Sequence, residues 1–151
     1  MDALDLGELT GYLIRRSQQA HVSAWQRFVS TEITSVQFGV LNVLHARPGS
    51  SQRQLCDDLD LDRSTIADIV ERLQRRGLLH RVRDEADKRR NVLDLTEKGR
   101  AEFDSLVPGV RRVDLELTSA LTASEREVLR SLLVTILEGQ RLANSEGAPA
   151  A

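Results

Sequence analysis

The sequence predicts a mainly α-helical domain with one small β hairpin, and three observations support this. Aromatic residues make up only 3% of a chain that is 40% hydrophobic, so its core is aliphatic and suited to packed helices. Apolar residues recur at helical spacing along most of the chain, and capping residues stand at several helix starts. Between residues 78 and 95 the pattern changes once, to two short apolar runs around a charged turn. At 151 residues the chain is expected to form one domain with a sizeable core.

Residues 5–29 form the first helical segment. Leu6, Leu9, Leu13, Ala20, Ala24 and Phe28 share one face, and Ile14, Val22, Trp25 and Val29 lie on another side, with Arg15 and Gln18 among them. A helix with two apolar sides is expected to be buried on both, the second against a partner subunit or around a pocket. The next helix opens with a capping box, Thr34 with Gln37, and a hydrophobic staple, Ile33 with Phe38. Leu41 and Leu44 continue its apolar face, Val40 and Val43 widen it, and Arg47-Pro48-Gly49 ends it.

Ser51 caps a shorter helix through Leu59, with Leu55, Cys56 and Leu59 inward. Asp60 and Leu61 alone separate it from Asp62, the N-cap of the next helix. That helix, within LDRSTIADIVERLQRRG (residues 61–77), buries Ile66, Ile69, Val70 and Leu73. Its other face carries Arg63, Ser64, Thr65, Asp68 and Arg72. Gly77 stands as the terminating glycine, with Arg75 and Arg76 beside the last exposed carbonyls. Two short helices about a tight turn, the second rich in Arg, Ser and Thr, form a helix-turn-helix pattern.

Residues 78–83 and 91–95 are expected strands around the charged turn 84–90, and a hairpin directly behind such a helix is a wing. Thr96 then caps a helix reaching about residue 121, with Phe103, Leu106, Val110, Val113 and Leu117 in phase and Pro108 expected to kink it. Thr122 and Glu125 form a second capping box, opening a last helix whose Val128, Leu129, Leu132, Leu133, Ile136 and Leu137 make a face too wide for a monomer's edge. The tail SEGAPAA after Asn144 is expected to be flexible.

The net charge of −2 conceals an asymmetry: from Arg63 to Arg90 nine Lys/Arg stand against five Asp/Glu, a local +4, leaving −6 for the rest. One cysteine excludes an internal disulfide and fits a reducing cytosol. The N-terminus MDALDLGEL lacks a signal-peptide pattern, and no apolar run approaches ~18 residues. No metal or cofactor is expected, since His21, His45 and His80 lie far apart and no Gly-rich phosphate loop occurs. The absence of G-x-S-x-G and of any other catalytic constellation argues against an enzyme.

The helix order, LDRSTIADIVERLQRRGLL, the charged hairpin and DKRRNVLDLTEKG together resemble the MarR family of winged-helix regulators over roughly residues 5–143. The specific features are Asp87-x-Arg89 followed by Leu95-Thr96-x-x-Gly99, and the QFGVL run from Gln37 to Leu41. The resemblance implies a homodimer on a pseudo-palindromic duplex. Residues 34–95 would form the DNA-binding lobe, residues 5–30 and 96–143 the dimerisation helices, and residues 144–151 the flexible tail. It implies that the helix after Asp62 enters the major groove, bringing Arg63, Ser64 and Thr65 nearest the bases, and that the wing reaches the minor groove. Arg can bond guanine bidentately, and Ser or Thr can serve a base or a phosphate. Asp68 can accept from a cytosine amino group or pair with Arg72. Arg89 or Arg90 fits a narrow, electronegative minor groove, with Asp87 orienting a neighbouring arginine.

The first helix, with Arg15-Arg16-Ser17-Gln18-Gln19-Ala20-His21 and then Trp25, is similar to the branch of that family answering to aromatic carboxylic acids such as hydroxybenzoates. That similarity implies a repressor released by a small aromatic carboxylate. Arg15 would face the carboxylate, His21 would bond a ring hydroxyl or the carboxylate, and Trp25 and Gln18 would lie beside the ring. Two other readings stand beside it: a redox-responsive regulator sensing through Cys56, and a winged-helix interaction module that never touches DNA.

Overall fold

The computed structural model describes residues 4–83 and 91–146. Among these residues there are six α helices and a two-stranded antiparallel hairpin, the winged-helix arrangement. By compactness the chain divides into two units, 1–114 and 115–151, with the boundary inside one long helix.

The first segment is broken where a continuous helix is expected. A 3-10 turn, Leu6–Glu8, precedes α1 (Thr10–Phe28), with Leu9 extended between them. The Asp5 carboxylate accepts from the Gly7 N–H at 2.8 Å, closing a local turn ahead of a residue with poor helix propensity. In α1, Trp25 is buried and Tyr12 and Phe28 half-buried, whereas Leu13, Ile14 and Val22 are exposed, as are Leu6 and Leu9 before the helix.

α2 (Ser35–Ala46) has the expected capping box, with Thr34 and Gln37 exchanging bonds of 3.0 and 3.2 Å. Ile33 is fully buried and Phe38 packs on the same core. α3 (Gln52–Leu59) opens with a capping box too, Ser51 with Gln54. It ends at Asp60, whose φ of 52° is left-handed, a conformation that Asp tolerates better than most residues. Arg47, at the end of α2, pairs with Asp58 and ties these two helices together.

α4 (Arg63–Arg75) is bounded as expected. Asp62 caps the Thr65 N–H at 2.9 Å. Gly77, at φ 72°, closes the far end: its N–H reaches the Gln74 carbonyl at 2.9 Å while that of Leu78 reaches Leu73 at 3.0 Å. This is a Schellman end with buried Leu73 and Leu78 as its apolar pair. Because Leu78 serves that end, β1 begins one residue later than expected (Leu79–Arg83) and pairs with β2 (Asn91–Leu95) in the register Leu79↔Leu95. β2 gains a second neighbour not evident in the sequence: Leu93 exchanges bonds of 2.9 and 3.0 Å with Ser50 and Gly49, pinning the hairpin to the α2–α3 turn.

α5 (Glu97–Leu117) ends before the expected residue 121, because the Leu121 N–H turns back to the Thr118 carbonyl at 3.0 Å. The core of the first unit is aliphatic, with Val40, Leu41, Leu44, Leu55, Ile66 and Val70 at its centre and Phe103 and Leu106 of α5 beside them. In the second unit, Thr122 and Glu125 form the expected capping box, and α6 (Ala123–Glu146) runs two residues past Asn144. Val128, Leu132 and Leu137 of α6 are more than half exposed.

Candidate functional site

The face of α4 opposite its buried Ile66, Val70 and Leu73 follows from helical spacing. Thr65, Asp68 and Arg72 succeed one another at intervals of three and four, with Arg63 and Ser64 at the helix start. Arg63, Ser64, Asp68 and Arg72 are exposed and Thr65 is half-buried. Asp62 gathers the N-terminal hydroxyls: Ser64 Oγ donates to one carboxylate oxygen and Thr65 Oγ1 to the other at 2.6 Å. These bonds, Ser64's first, hold the Asp62 carboxyl well below the ordinary aspartate value. Among the described residues no ion pair joins Asp68 to Arg72, and both side chains are exposed. Arg75 and Arg76, by contrast, are engaged, with Glu71 at 3.7 Å and with Glu32 at 2.8 Å.

Three further cations adjoin this face that a reading of α4 alone misses. Gln52, Arg53, Cys56, Arg63 and Ala67 line a hollow of about 310 Å³ between α3 and the start of α4. Arg81 of β1 donates to Gln52 Oε1 at 3.3 Å, bringing the wing strand to the same edge, and exposed Arg83 follows on the same side of the strand. The signal for Arg53 was its place in the first turn after Ser51. The signal for Arg81 and Arg83 was their alternation. Cys56 is half-buried in that hollow rather than sealed in the core. Asp84, Glu85, Asp87, Arg89 and Arg90, the wing-tip residues, lie outside the described residues.

The first-helix stripe is brought together in part. His21 and Trp25 are in contact, with ring centroids 5.9 Å apart, and Trp25 also meets Phe38 at 5.7 Å. Trp25 is buried, and its Nε1 donates to the Ile33 carbonyl at 2.6 Å, so it can offer a ligand only its ring. The Nδ1 of half-buried His21 is enclosed and has no hydrogen-bond partner among the described residues, a polar atom available to one. Gln18 is exposed. Arg15 is exposed too, its guanidinium carbon 5.0 Å from the Tyr12 ring centre. It stands six residues before His21, about 9 Å along the helix. Beyond Trp25, a cavity of about 120 Å³ is lined by Val22, Gln26, Ser30 and Thr31 among others.

Among the described residues no three His, Cys, Asp or Glu side chains gather as a metal site would require, and no helix is long and apolar enough to cross a membrane.

Comparison with known proteins supplies the context. Residues 31–90 match the MarR family. Over 135 residues the chain is 33% identical to the transcriptional repressor NicR of Pseudomonas putida, covering 89% of this chain and 85% of that one. Its fold superposes on the PcaV transcriptional regulator of Streptomyces coelicolor, solved with its natural ligand, with a TM-score of 0.86 and 43% identity over 91% of this chain and 98% of that one. BpsR of Bordetella bronchiseptica, whose DNA binding is regulated by 6-hydroxynicotinic acid, superposes with a TM-score of 0.82 and 29% identity over 89% of this chain and 97% of that one.

Proposed function

The chain belongs to the MarR family of winged-helix regulators, and we propose that it is a homodimeric repressor released from its operator by a small aromatic carboxylic acid. The observation that carries the DNA reading is the exposed face of α4, with Arg63 and Arg72 in no ion pair among the described residues and Arg53, Arg81 and Arg83 along its margin. A helix fits the major groove, where Arg63 can address guanine O6 and N7. The marginal arginines suit phosphates, releasing counterions and fixing register. Ser64 and Thr65, which give their protons to Asp62, keep lone pairs that accept from base amino groups.

The homodimer rests on the exposed leucines of α6, which a second copy can cover, and on the half-site symmetry that a duplex offers such a dimer. The effector reading rests on the first-helix stripe and on the ligand regulation of BpsR. Arg15 supplies two parallel hydrogen bonds to a carboxylate, His21 a free ring nitrogen, and Trp25 an apolar wall. The acid must favour the arrangement that binds DNA poorly, since equal affinity for both would shift nothing.

The test begins with selection of duplexes from a random library by the wild-type protein. The recovered duplex is then titrated with 6-hydroxynicotinate and a series of hydroxybenzoates. Release by an acid that also binds in calorimetry, and loss of both in Arg15→Ala with duplex affinity kept, is the expected result. Failure of every acid at millimolar concentration would remove the effector reading, and failure to select any duplex would remove the DNA reading.

A further inference from the structure

We propose that Glu32 and Arg76 are positioning residues that carry the state of the first helix to the DNA-reading helix. The inference rests on the reading of α4 and of the α1 stripe given above. Residues 29–34 form a loop fastened at both ends. On one side, Trp25 Nε1 donates to the Ile33 carbonyl at 2.6 Å, and the Trp25 carbonyl accepts from the N–H groups of Val29 and Ser30 at 2.8 and 3.2 Å. Within the loop, Ser30 Oγ accepts from the N–H groups of Glu32 and Ile33, each at 3.0 Å. On the other side, Arg76 closes a fork on one residue: Nη1 donates to the Glu32 carbonyl at 3.0 Å and Nη2 to its carboxylate at 2.8 Å.

Arg76 is the C-cap of α4, and its N–H donates to the Arg72 carbonyl at 3.2 Å. Its own carbonyl accepts from Lys98 Nζ at 2.8 Å. The line therefore runs from His21 through Trp25, the backbone of Ile33 and Glu32, and Arg76 to Arg72, on the exposed face of α4. Among the described residues no other hydrogen bond joins residues 29–34 to α4. A rigid loop held by a planar fork transmits direction as well as charge. As an exposed ion pair, with Glu32 75% and Arg76 34% open to solvent, the contact adds little to stability. Its removal therefore separates coupling from folding, which a buried contact would not allow.

Trp25 is the single tryptophan of the chain, so its emission reports on one end of this line. Saturating wild-type protein with the library-selected duplex should shift that emission. Glu32→Gln and Arg76→Gln should bind the same duplex with little change in affinity and melt near the wild-type temperature. Arg76→Gln, which loses both prongs, should leave the emission unmoved, and Glu32→Gln, which keeps the carbonyl prong, should reduce the shift. With 6-hydroxynicotinate or 4-hydroxybenzoate as probe, acid affinity in calorimetry should persist. The drop in duplex affinity caused by the acid, within roughly 5- to 150-fold for the wild type, should shrink in both variants, further in Arg76→Gln than in Glu32→Gln. A variant that passes on the full emission shift, or a wild type whose emission ignores the duplex, overturns the proposal. If neither acid binds the wild type, the effector reading falls and the emission comparison still decides the role of Glu32 and Arg76.

Discussion

Gly99 presents its bare Cα to the carbonyl oxygen of Leu78, and a Cβ built there would stand 1.8 Å from that oxygen. The neighbouring contacts explain why the helices meet so closely. Thr96 Oγ1 donates to the Gly77 carbonyl at 2.6 Å and accepts from the Gly99 N–H at 2.9 Å, and the Thr96 N–H reaches the Leu78 carbonyl at 3.1 Å. The Leu95-Thr96-x-x-Gly99 motif thus presses the first turn of α5 against the residues that terminate α4. Gly99→Ala must displace backbone rather than a flexible side chain, so we expect it to cost about 1–3 kcal/mol or more of unfolding free energy. Denaturant titration reads this directly, and an unchanged midpoint would contradict the close approach.

Asp62 makes the fold sensitive to acid. Hydrogen bonds from Ser64 and Thr65 hold its carboxyl below the ordinary value of 3.8. The Thr122 N–H and then its hydroxyl lower Glu125 in the same sense. A carboxyl whose pKa is lower folded than unfolded stabilises the fold above the unfolded value and loses that contribution as pH falls toward the folded one. Stability should therefore decline with acidification below about pH 4. Asp62→Asn keeps a good neutral cap, so its melting temperature should fall less than the wild type's between about pH 5 and pH 3. Parallel pH profiles would show that the cap does not titrate with folding.

Local rules made much of this fold legible. Thr34 with Gln37, Asp62, Gly77, and Thr122 with Glu125 act over at most a turn of chain, and each stands where its residue type requires. The capping box of Ser51 with Gln54 is of the same local kind. What sequence spacing does not carry is contact between distant segments. Arg76 meets Glu32 across 44 positions, and Ser50 joins Leu93 as an extra bridge. The same limit applies to the candidate sites. The exposed face of α4 follows from one helix's periodicity, whereas the approach of Arg53 and Arg81 depends on how α3 and β1 pack. Trp25 lies on the expected stripe, but only the fold shows that its N–H is committed to Ile33.

The arginines of the proposed DNA-facing surface should fail in two different ways. Arg63→Ala should weaken the selected duplex by ~1–3 kcal/mol and relax preference at one base position, because a bidentate base contact is lost. Arg53→Ala and Arg81→Ala should weaken all duplexes alike and reduce the slope of log affinity against log salt by about 1 each. Binding titrations on single-base variants at several salt concentrations separate the two patterns. A uniform effect for Arg63 would move it from base reader to phosphate contact.

Assembly is tested on α6. Leu132 and Leu137 are 57% and 61% exposed in the single chain, and Val128 is 55% exposed. A leucine taken out of water contributes roughly 1.5–3 kcal/mol, and in a symmetric dimer each position counts once per subunit. Leu132→Glu would place two charges in that apolar seam, where desolvation opposes them and like charges repel. The wild type should scatter light as a dimer at micromolar concentration, and the variant as a monomer with helical content retained by circular dichroism. Without the partner, each half-site is bound alone and the gain from joining two α4 helices on one duplex disappears. A duplex with one half-site should then bind the variant as well as the complete duplex does. A Leu132→Glu protein that stays dimeric and still prefers two half-sites would place the dimer seam elsewhere on the chain.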